Sequence, residues 1–298
     1  MSEQKKSLPF VYQFMAGAVA GVSEILVMYP LDMVKTVMQL QVSGGSGPQY
    51  KGVFDCLKQI AAKEGPRRLY KGISSPILME APKRATKFAC NDEFQKIYKN
   101  LFGVDKLTQP LSILSGASAG ICESFVVVPF ELVKIRLQDV SSKFTSPVAV
   151  VKDIVQKEGI LAMYNGLEST MWRHGVWNAG YFGIIFQVRA LLPTAHTKSQ
   201  QTRNDLIAGT VGGTIGSMLS TPFDVVKSRI QNTAVVAGVA RKYNWSWPSL
   251  GTIYKEEGFK ALYKGFVPKV LRLGPGGGIL LVVFTGVMDF FRTIHEGK

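Results

Sequence analysis

Long apolar stretches alternate with polar segments along this chain of 298 residues. The first apolar stretch, residues 10–29, has the length of about 20 residues that an α-helix needs to cross a bilayer. Polar, Gly/Ser-rich or charged segments at 42–52, 139–147 and 232–248 fit connections between helices. Each third of the chain therefore predicts an apolar helix, a polar loop with a short amphipathic helix, and a second long helix.

Two motifs recur in phase three times. The first is Pro-x-acid-x-x-base, and it starts at Pro30, Pro129 and Pro222. The second is Glu-Gly followed by Tyr-x-Gly, and its final glycine is Gly72, Gly166 or Gly265. Motifs repeated at a fixed period indicate a repeat architecture. We expect three pseudo-symmetric repeats, at 8–103, 109–193 and 203–294, which form one all-α transmembrane bundle of six long helices with a short helix in each repeat.

Small residues also recur in the first helix of each repeat. Glycines spaced four residues apart predict faces for close helix packing, and these pairs are Gly17/Gly21, Gly116/Gly120 and Gly209/Gly213.

Composition supports a membrane protein whose spans contain polar groups. The mean hydropathy is +0.13 with 46% hydrophobic residues, yet 19% are charged and the net charge is +14. The three cysteines, Cys56, Cys90 and Cys122, form no C-x-x-C pair, so we expect neither a disulfide framework nor a metal site, and no cofactor. Residues 1–7 contain an acid and no arginine, which favours neither a transit peptide nor a secretory signal.

Two other classes of protein deserve comparison. The positive charge alone fits a basic nucleic-acid-binding protein, but its lysines would form an external stripe, whereas several here interrupt apolar segments. An enzyme is not expected, because no nucleophile–base arrangement is present in the sequence. The glycine-rich segment 274–278 follows no predicted strand, so it is not a phosphate loop.

The first motif predicts a ring of charges. A proline inside a helix removes a hydrogen bond and bends the helix, so the three prolines are expected to tilt three helices toward the bundle axis. Each proline is followed by an acid and a base that lie three residues apart on one helical face. These residues are Asp32 and Lys35, Glu131 and Lys134, and Asp224 and Lys227.

The two motifs resemble those of the mitochondrial carriers, and the resemblance covers essentially the whole chain. It implies a six-helix bundle in the mitochondrial inner membrane that exchanges solutes by alternating access as a monomer, with both termini on the intermembrane-space side. The implied matrix gate consists of the ion pairs Asp32–Lys134, Glu131–Lys227 and Asp224–Lys35. The implied braces of this gate are Gln39, Gln138 and Gln231. The implied cardiolipin sites are at Gly72, Gly166 and Gly265.

The family has a second gate at the cytoplasmic end, formed by aromatic-acid-x-x-base patterns on the even-numbered helices. Only Asp92 and Arg189 retain charge at the matching positions of this sequence. One ion pair is therefore expected there.

Specificity is expected where the repeats differ, because symmetric residues alone cannot bind a small asymmetric substrate. Counting from the glycines of the second motif places five cations inside predicted spans: Lys83, Arg84, Lys87, Arg173 and Arg272. Each such charge costs about 2.5–3.5 kcal/mol near a bilayer centre, so we expect these cations to face a water-filled cavity. Three intramembrane acids accompany them, Glu24, Glu80 and Glu123. The excess of two positive charges suits a dianion.

The sequences around these cations resemble the carriers that exchange 2-oxodicarboxylates, such as 2-oxoadipate and 2-oxoglutarate. The implied substrate site comprises Lys83, Arg84, Lys87, Arg173, His174, Trp177, Asn178 and Arg272. Arginines on different helices can hold the two carboxylates of a diacid bidentately. Alternatively each cation only pairs with one of the three acids, and His174 only packs. Carriers of other di- or tricarboxylates, of the oxoglutarate/malate or citrate type, remain an open alternative.

Overall fold

A computed structural model describes residues 9–44, 48–106, 108–194, 197–233 and 240–296. The expected first residue of repeat 1 and the N-terminal segment assessed for a targeting signal lie outside these residues. The described residues form nine α-helices: α1 (Phe10–Leu40), α2 (Val53–Glu64), α3 (Ser74–Phe102), α4 (Gln109–Gln138), α5 (Pro147–Glu158), α6 (Leu167–Leu191), α7 (Lys198–Asn232), α8 (Ser246–Glu257) and α9 (Phe266–Glu296). Short 3-10 helices span Pro66–Tyr70, Ile160–Tyr164 and Phe259–Tyr263.

The order of a long, a short and a long helix occurs three times, as α1–α3, α4–α6 and α7–α9. Each short helix ends at the glutamate of the second motif, and the next residue is Gly65, Gly159 or Gly258 with a φ of 80–85°. Residues with a β-carbon adopt this conformation only at a steric cost. The Glu-Gly pair therefore ends the short helix and redirects the chain into the 3-10 helix.

The bundle closes on itself through contacts between successive repeats. The last helix of each repeat packs along the first helix of the next, so α3 contacts α4, α6 contacts α7 and α9 contacts α1. The three first helices, α1, α4 and α7, also contact one another. This arrangement confirms the all-α fold class and its pseudo-threefold organisation.

Each short helix packs on the first helix of its own repeat and buries an equivalent apolar cluster. The clusters contain Met33 with Cys56, Leu132 with Ile154, and Ile230 with Ile253. Full burial of one large apolar side chain is worth about 1.5–3 kcal/mol. The three clusters therefore hold the short helices against α1, α4 and α7, at the end of the bundle where these three helices contact one another.

Three of the described helical segments are long and apolar enough to cross a membrane: Val11–Leu40, Ile113–Gln138 and Phe259–Ile294. The long helices α3, α6 and α7 are less apolar. In α3, charged side chains occupy positions 80, 83, 84 and 87, and α7 begins with the polar sequence Lys-Ser-Gln-Gln. These charged and polar side chains lower the mean hydropathy of the helices that carry them.

The predicted glycine faces are correct only in part. Gly17 and Gly21 lie against side chains of α3, but a β-carbon at Gly116 or Gly120 would meet nothing within 4 Å. In α7 the close approach is at Gly216, where a β-carbon would lie 2.8 Å from the carbonyl oxygen of Trp177 in α6. The closest packing of α7 is therefore at Gly216 rather than at the predicted glycines. The predicted glycines of α4 border open space instead of a neighbouring helix.

Candidate functional site

Pro30, Pro129 and Pro222 each lie inside their long helix, and the charges that follow them meet in a ring. Three ion pairs connect neighbouring helices. They are Lys134–Asp32 at 3.2 Å, Lys227–Glu131 at 2.5 Å and Lys35–Asp224 at 3.5 Å. These are the pairs expected from the sequence, and we call these six residues the ring. Its role as a gate stays a prediction.

A cavity of about 260 Å³ lies directly on the ring. Besides the ring residues, its wall includes Glu24, Glu80, Lys83, Arg173 and Arg272. Five of the eight charged residues expected inside the spans thus meet in one space between α1, α3, α6 and α9.

Arg272 connects the cavity to the ring. Its Nη2 lies 2.7 Å from Glu24 Oε1, and its Nη1 lies 2.5 Å from Asp32 Oδ1. Asp32 also accepts a hydrogen bond from Lys134, as part of the ring. One guanidinium therefore holds an intramembrane acid and a ring acid at the same time.

The cations of α3 share a single acid. Lys83 Nζ and Arg84 Nε each lie 2.6 Å from a carboxylate oxygen of Glu80, which is buried. Arg84 also lies against Gly17 and Gly21 of α1. Arg84 is thus held between two helices beside the cavity, while Lys83 is in its wall.

A second cavity, of about 410 Å³, lies between α4 and α6 and shares Arg173 with the first. Its lining includes Lys87, Glu123, His174, Trp177 and Asn178, all of them predicted site residues. Glu123 is buried, and within the described part of the chain no hydrogen bond or ion pair is found for its carboxylate. Glu24 and Glu123 occupy equivalent positions in the first two repeats. Glu24 pairs with Arg272, whereas Glu123 has no ion pair in the described residues.

His174 is held in one tautomer. Arg173 Nη2 lies 2.7 Å from His174 Nε2, and a guanidinium can only donate hydrogen bonds. Nε2 therefore accepts, and the proton of the neutral ring is on Nδ1. Nearby, Asn178 donates to the carbonyl oxygen of His174 at 2.9 Å and Trp177 stacks on Tyr181 with centroids 5.0 Å apart.

Lys269 is a site residue that sequence comparison missed. It lines the second cavity, and its Nζ lies 2.6 Å from Asp224 Oδ2. The repeat comparison began seven residues after each glycine, whereas Lys269 is four residues after Gly265. With Lys269 included, the cavity region has six bases against three acids, an excess of three positive charges rather than the expected two.

Two of the three glutamines expected to brace the ring contact other groups. Gln39 accepts a hydrogen bond from Ser228 at 2.8 Å, and the side chains of Gln39 and Gln231 pack against Gly265 and Gly166. In the described residues no hydrogen bond joins Gln39, Gln138 or Gln231 to a ring side chain. They lie one turn beyond the ring lysines, where Gln39 and Gln231 meet the starts of α9 and α6.

The glycines expected to bind cardiolipin begin α3, α6 and α9 in equivalent conformations. Gly72, Gly166 and Gly265 have φ values of 84°, 84° and 82°. Near Gly166, the carboxylate of Glu168 accepts hydrogen bonds from both the backbone N–H and the hydroxyl of Ser246 at the start of α8. Lipid binding at the three glycines stays a prediction.

At the opposite end of the bundle the expected ion pair is replaced by another. Arg189 Nη2 lies 2.9 Å from Asp205 Oδ1, across the turn between α6 and α7. Asp92 is exposed on α3, and no Asp92–Arg189 ion pair occurs among the described residues. Arg189 is near the end of α6 and Asp205 is near the start of α7, so the two side chains lie close together in this conformation, in which the ring is closed.

Three arginines that connect neighbouring repeats, on the side of the ring facing the short helices, were not expected from the sequence. Arg68, Arg136 and Arg229 each donate to backbone carbonyls at the C-terminal end of a long helix from another repeat. Arg229 also pairs with Glu257. Burial opposes ionisation of Glu257, but hydrogen bonds from Arg229 and from the Ser43 N–H outweigh it and lower its pKa to about 2.

The sequence matches one family of known proteins along nearly its whole length. The family model described as "Mitochondrial carrier protein" matches residues 6–101, 105–196 and 198–295. The chain therefore belongs to the mitochondrial carrier family, whose members are multi-helix proteins of the mitochondrial inner membrane.

Individual relatives are similar over nearly the full chain. "Mitochondrial citrate transporter D" of Aspergillus niger is 70% identical, over 98% of this chain and 97% of its own length. In Saccharomyces cerevisiae, "Mitochondrial 2-oxodicarboxylate carrier 1" is 63% identical over 100% of this chain and 99% of its own. "Mitochondrial 2-oxodicarboxylate carrier 2" is 62% identical over 98% and 97%. The relatives thus carry the names of two substrate classes.

Proposed function

We propose that this protein exchanges 2-oxodicarboxylates, including 2-oxoglutarate and 2-oxoadipate, across the mitochondrial inner membrane by alternating access. The observation that carries the proposal is the position of Arg272 between Glu24 and Asp32. A substrate carboxylate can replace the internal carboxylates on this guanidinium. Asp32 then keeps Lys134 as its ion-pair partner, so binding of substrate in the cavity changes the charge balance of the ring.

The two carboxylates of the substrate have separate candidate partners. Arg272 and Arg173 lie on α9 and α6 in the wall of the first cavity, with Lys83 on α3 and Arg84 beside it. Because these bases are already held by protein acids, binding exchanges one ion pair for another. Such an exchange keeps each base of the cavity compensated.

The 2-oxo group is a hydrogen-bond acceptor, so it needs a donor in the site. His174 supports this role, because Arg173 fixes the acceptor at Nε2 and leaves the Nδ1 proton for another partner. Lys87, Trp177 and Asn178 border the same cavity. We assign His174 to the 2-oxo group and these three residues to the surroundings of the substrate chain.

The remaining assignments follow the family. The ring is the matrix gate, Gln39, Gln138 and Gln231 brace it in a part of the cycle in which the helix ends have moved, and Asp92 and Arg189 belong to the cytoplasmic gate. Gly72, Gly166 and Gly265 bind cardiolipin. Residues 8–103, 109–193 and 203–294 are the three repeats of one monomer, with both termini on the intermembrane-space side.

Citrate is the second candidate substrate. It is favoured by the excess of three positive charges in the cavity region, since a trianion balances that excess fully. The relative from Aspergillus niger is named as a citrate transporter. Charge alone therefore does not separate a dianion from a trianion, whereas the His174 donor favours a 2-oxo acid.

Reconstitution into liposomes tests the exchange mechanism. We expect liposomes loaded with 2-oxoadipate to take up far more labelled 2-oxoglutarate than liposomes loaded with buffer, because the ring opens only when a substrate replaces the internal acids. Protein-free liposomes measure the passive leak. Equal uptake by loaded and buffer-filled vesicles would overturn obligatory exchange.

A further inference from the structure

The three acids of the ring do not have equivalent partners. Glu131 has a single ion pair in the described residues, with Lys227 at 2.5 Å. Asp32 has Lys134 at 3.2 Å and Arg272 at 2.5 Å. Asp224 has Lys35, Arg173 and Lys269, and Lys269 is much the closest of the three.

Lys269 breaks the pseudo-threefold symmetry. It lies four residues after Gly265, and the equivalent residues in the other two repeats are Pro76 and Thr170. Neither of those side chains carries a charge. The extra base is therefore a feature of the third repeat alone.

The geometry around Asp224 favours Lys269 over the ring lysine. Lys269 Nζ donates to Asp224 Oδ2 at 2.6 Å and to Ser220 Oγ at 2.8 Å. Lys35 Nζ lies 3.5 Å from the same Oδ2, and Arg173 Nε lies 3.6 Å from Oδ1. Only the Lys269 contact has the short length of a charge-assisted hydrogen bond.

The origin of these bases matters for opening the ring. Lys35 is on α1, so its contact with Asp224 of α7 must break when the first helices separate. Lys269 is on α9, which is in the same repeat as Asp224 and contacts α7 directly, so its contact with Asp224 does not depend on the approach of α1 to α7. Asp224 is only 3% exposed, and a buried carboxylate that loses its only partner is strongly destabilising.

We propose that Lys269 is a positioning residue that keeps Asp224 compensated when Lys35 withdraws. The inference rests on the proposed opening of the ring during transport. Lys35–Asp224, the ion pair between α1 and α7, is therefore less critical than Glu131–Lys227, the ion pair between α4 and α7. The bound substrate is not required to touch Lys269.

A double-mutant cycle tests this sharing. The variants are Lys35→Gln, Lys269→Gln and their combination, and Lys255→Gln on the exposed face of α8 is the control for loss of one lysine. The first readout is thermal unfolding of the purified protein in lipid-supplemented detergent, which needs no knowledge of the substrate. The second readout is the initial rate of 2-oxoglutarate exchange in liposomes.

We expect each single variant to exchange at a reduced but measurable rate, because one of the two lysines remains close to Asp224 together with Arg173. The double variant should lose roughly two- to hundredfold more than the product of the single effects, as for side chains that share a partner. Lys227→Gln, whose partner Glu131 has no second ion pair in the described residues, should be far more damaging than Lys35→Gln. Adding Asp224→Asn to the double variant should restore part of its thermal stability.

Two results would overturn the proposal: strictly multiplicative effects of the two lysines, or equal damage from Lys35→Gln and Lys227→Gln. If the double variant is too unstable to purify, recovery on adding Asp224→Asn still supports sharing, and lack of recovery contradicts it. If the wild-type protein does not exchange 2-oxoglutarate, the proposed function fails. The thermal cycle then still decides the role of Lys269.

Discussion

Arg272→Lys is expected to reduce 2-oxoglutarate exchange roughly ten- to hundredfold, which corresponds to the loss of one charge-assisted contact of about 1.5–3 kcal/mol. Arg272 reaches Glu24 and Asp32 from different nitrogens of one planar group. Lysine keeps the charge but replaces this fork by a single nitrogen. It therefore cannot hold a substrate carboxylate and remain linked to the ring in the same geometry.

The matched control is Arg292→Lys, also on α9, where the arginine pairs with Asp289 at 2.9 Å. It should leave exchange nearly unchanged, because exposed ion pairs contribute about 0–1 kcal/mol. The competing interpretation is that Arg272 only neutralises Glu24. In that case Arg272→Lys is well tolerated and Glu24→Gln rescues Arg272→Ala, and this pair of results would argue against a substrate contact.

Lys227→Glu is expected to abolish measurable exchange, and combining it with Glu131→Lys should recover part of it. The Lys227–Glu131 pair is the shortest of the ring and its lysine is buried. Removing one partner of a buried pair costs about 3–5 kcal/mol, which is more than a hundredfold in an equilibrium constant. The swap restores opposite charges across the same helix junction.

Initial exchange rates in liposomes, at matched protein amount, measure this recovery. A charge swap of the surface pair Lys242–Glu256, which are 2.6 Å apart, is the control and should have little effect at either step. This junction is the sharpest choice in the ring because Asp32 and Asp224 both have additional bases. If the single reversal transports normally, or if the swapped protein inserts correctly but stays as inactive as the single variant, the ring is not a gate held by this pair.

The sequence predicted the ring of charges from the motif that recurs three times, and the resemblance to the mitochondrial carriers supplied its three pairings. The fold class followed from the same repetition. The predicted cavity cations Lys83, Arg173 and Arg272 also meet in one cavity. Their charge makes burial costly unless they share a polar space, so this placement was accessible to physical reasoning.

The connections between cavity and ring were not predictable in the same way. Whether Arg272 reaches Glu24, Asp32 or both depends on how far α9 and α1 approach, which no spacing within one helix determines. Lys269 was missed because the comparison of the repeats began seven residues after each glycine, although its lack of a charged counterpart is the signal that could have found it. The contacts of the glutamines, Asp92 and Arg189 differ from expectation. The family patterns describe several conformations of the transport cycle, whereas a single conformation brings only some of these residues together.

The choice between 2-oxodicarboxylates and citrate is the most direct test of the account. Liposomes that contain the protein and internal 2-oxoadipate are given equal concentrations of labelled 2-oxoglutarate and citrate, and the initial rates give the ratio of their kcat/KM values. We predict that 2-oxoglutarate enters faster, and that His174→Leu reduces this preference while leaving citrate uptake less affected. Faster uptake of citrate, or no uptake of 2-oxoglutarate by a protein that transports citrate, would contradict the assignment of the cavity to 2-oxodicarboxylates.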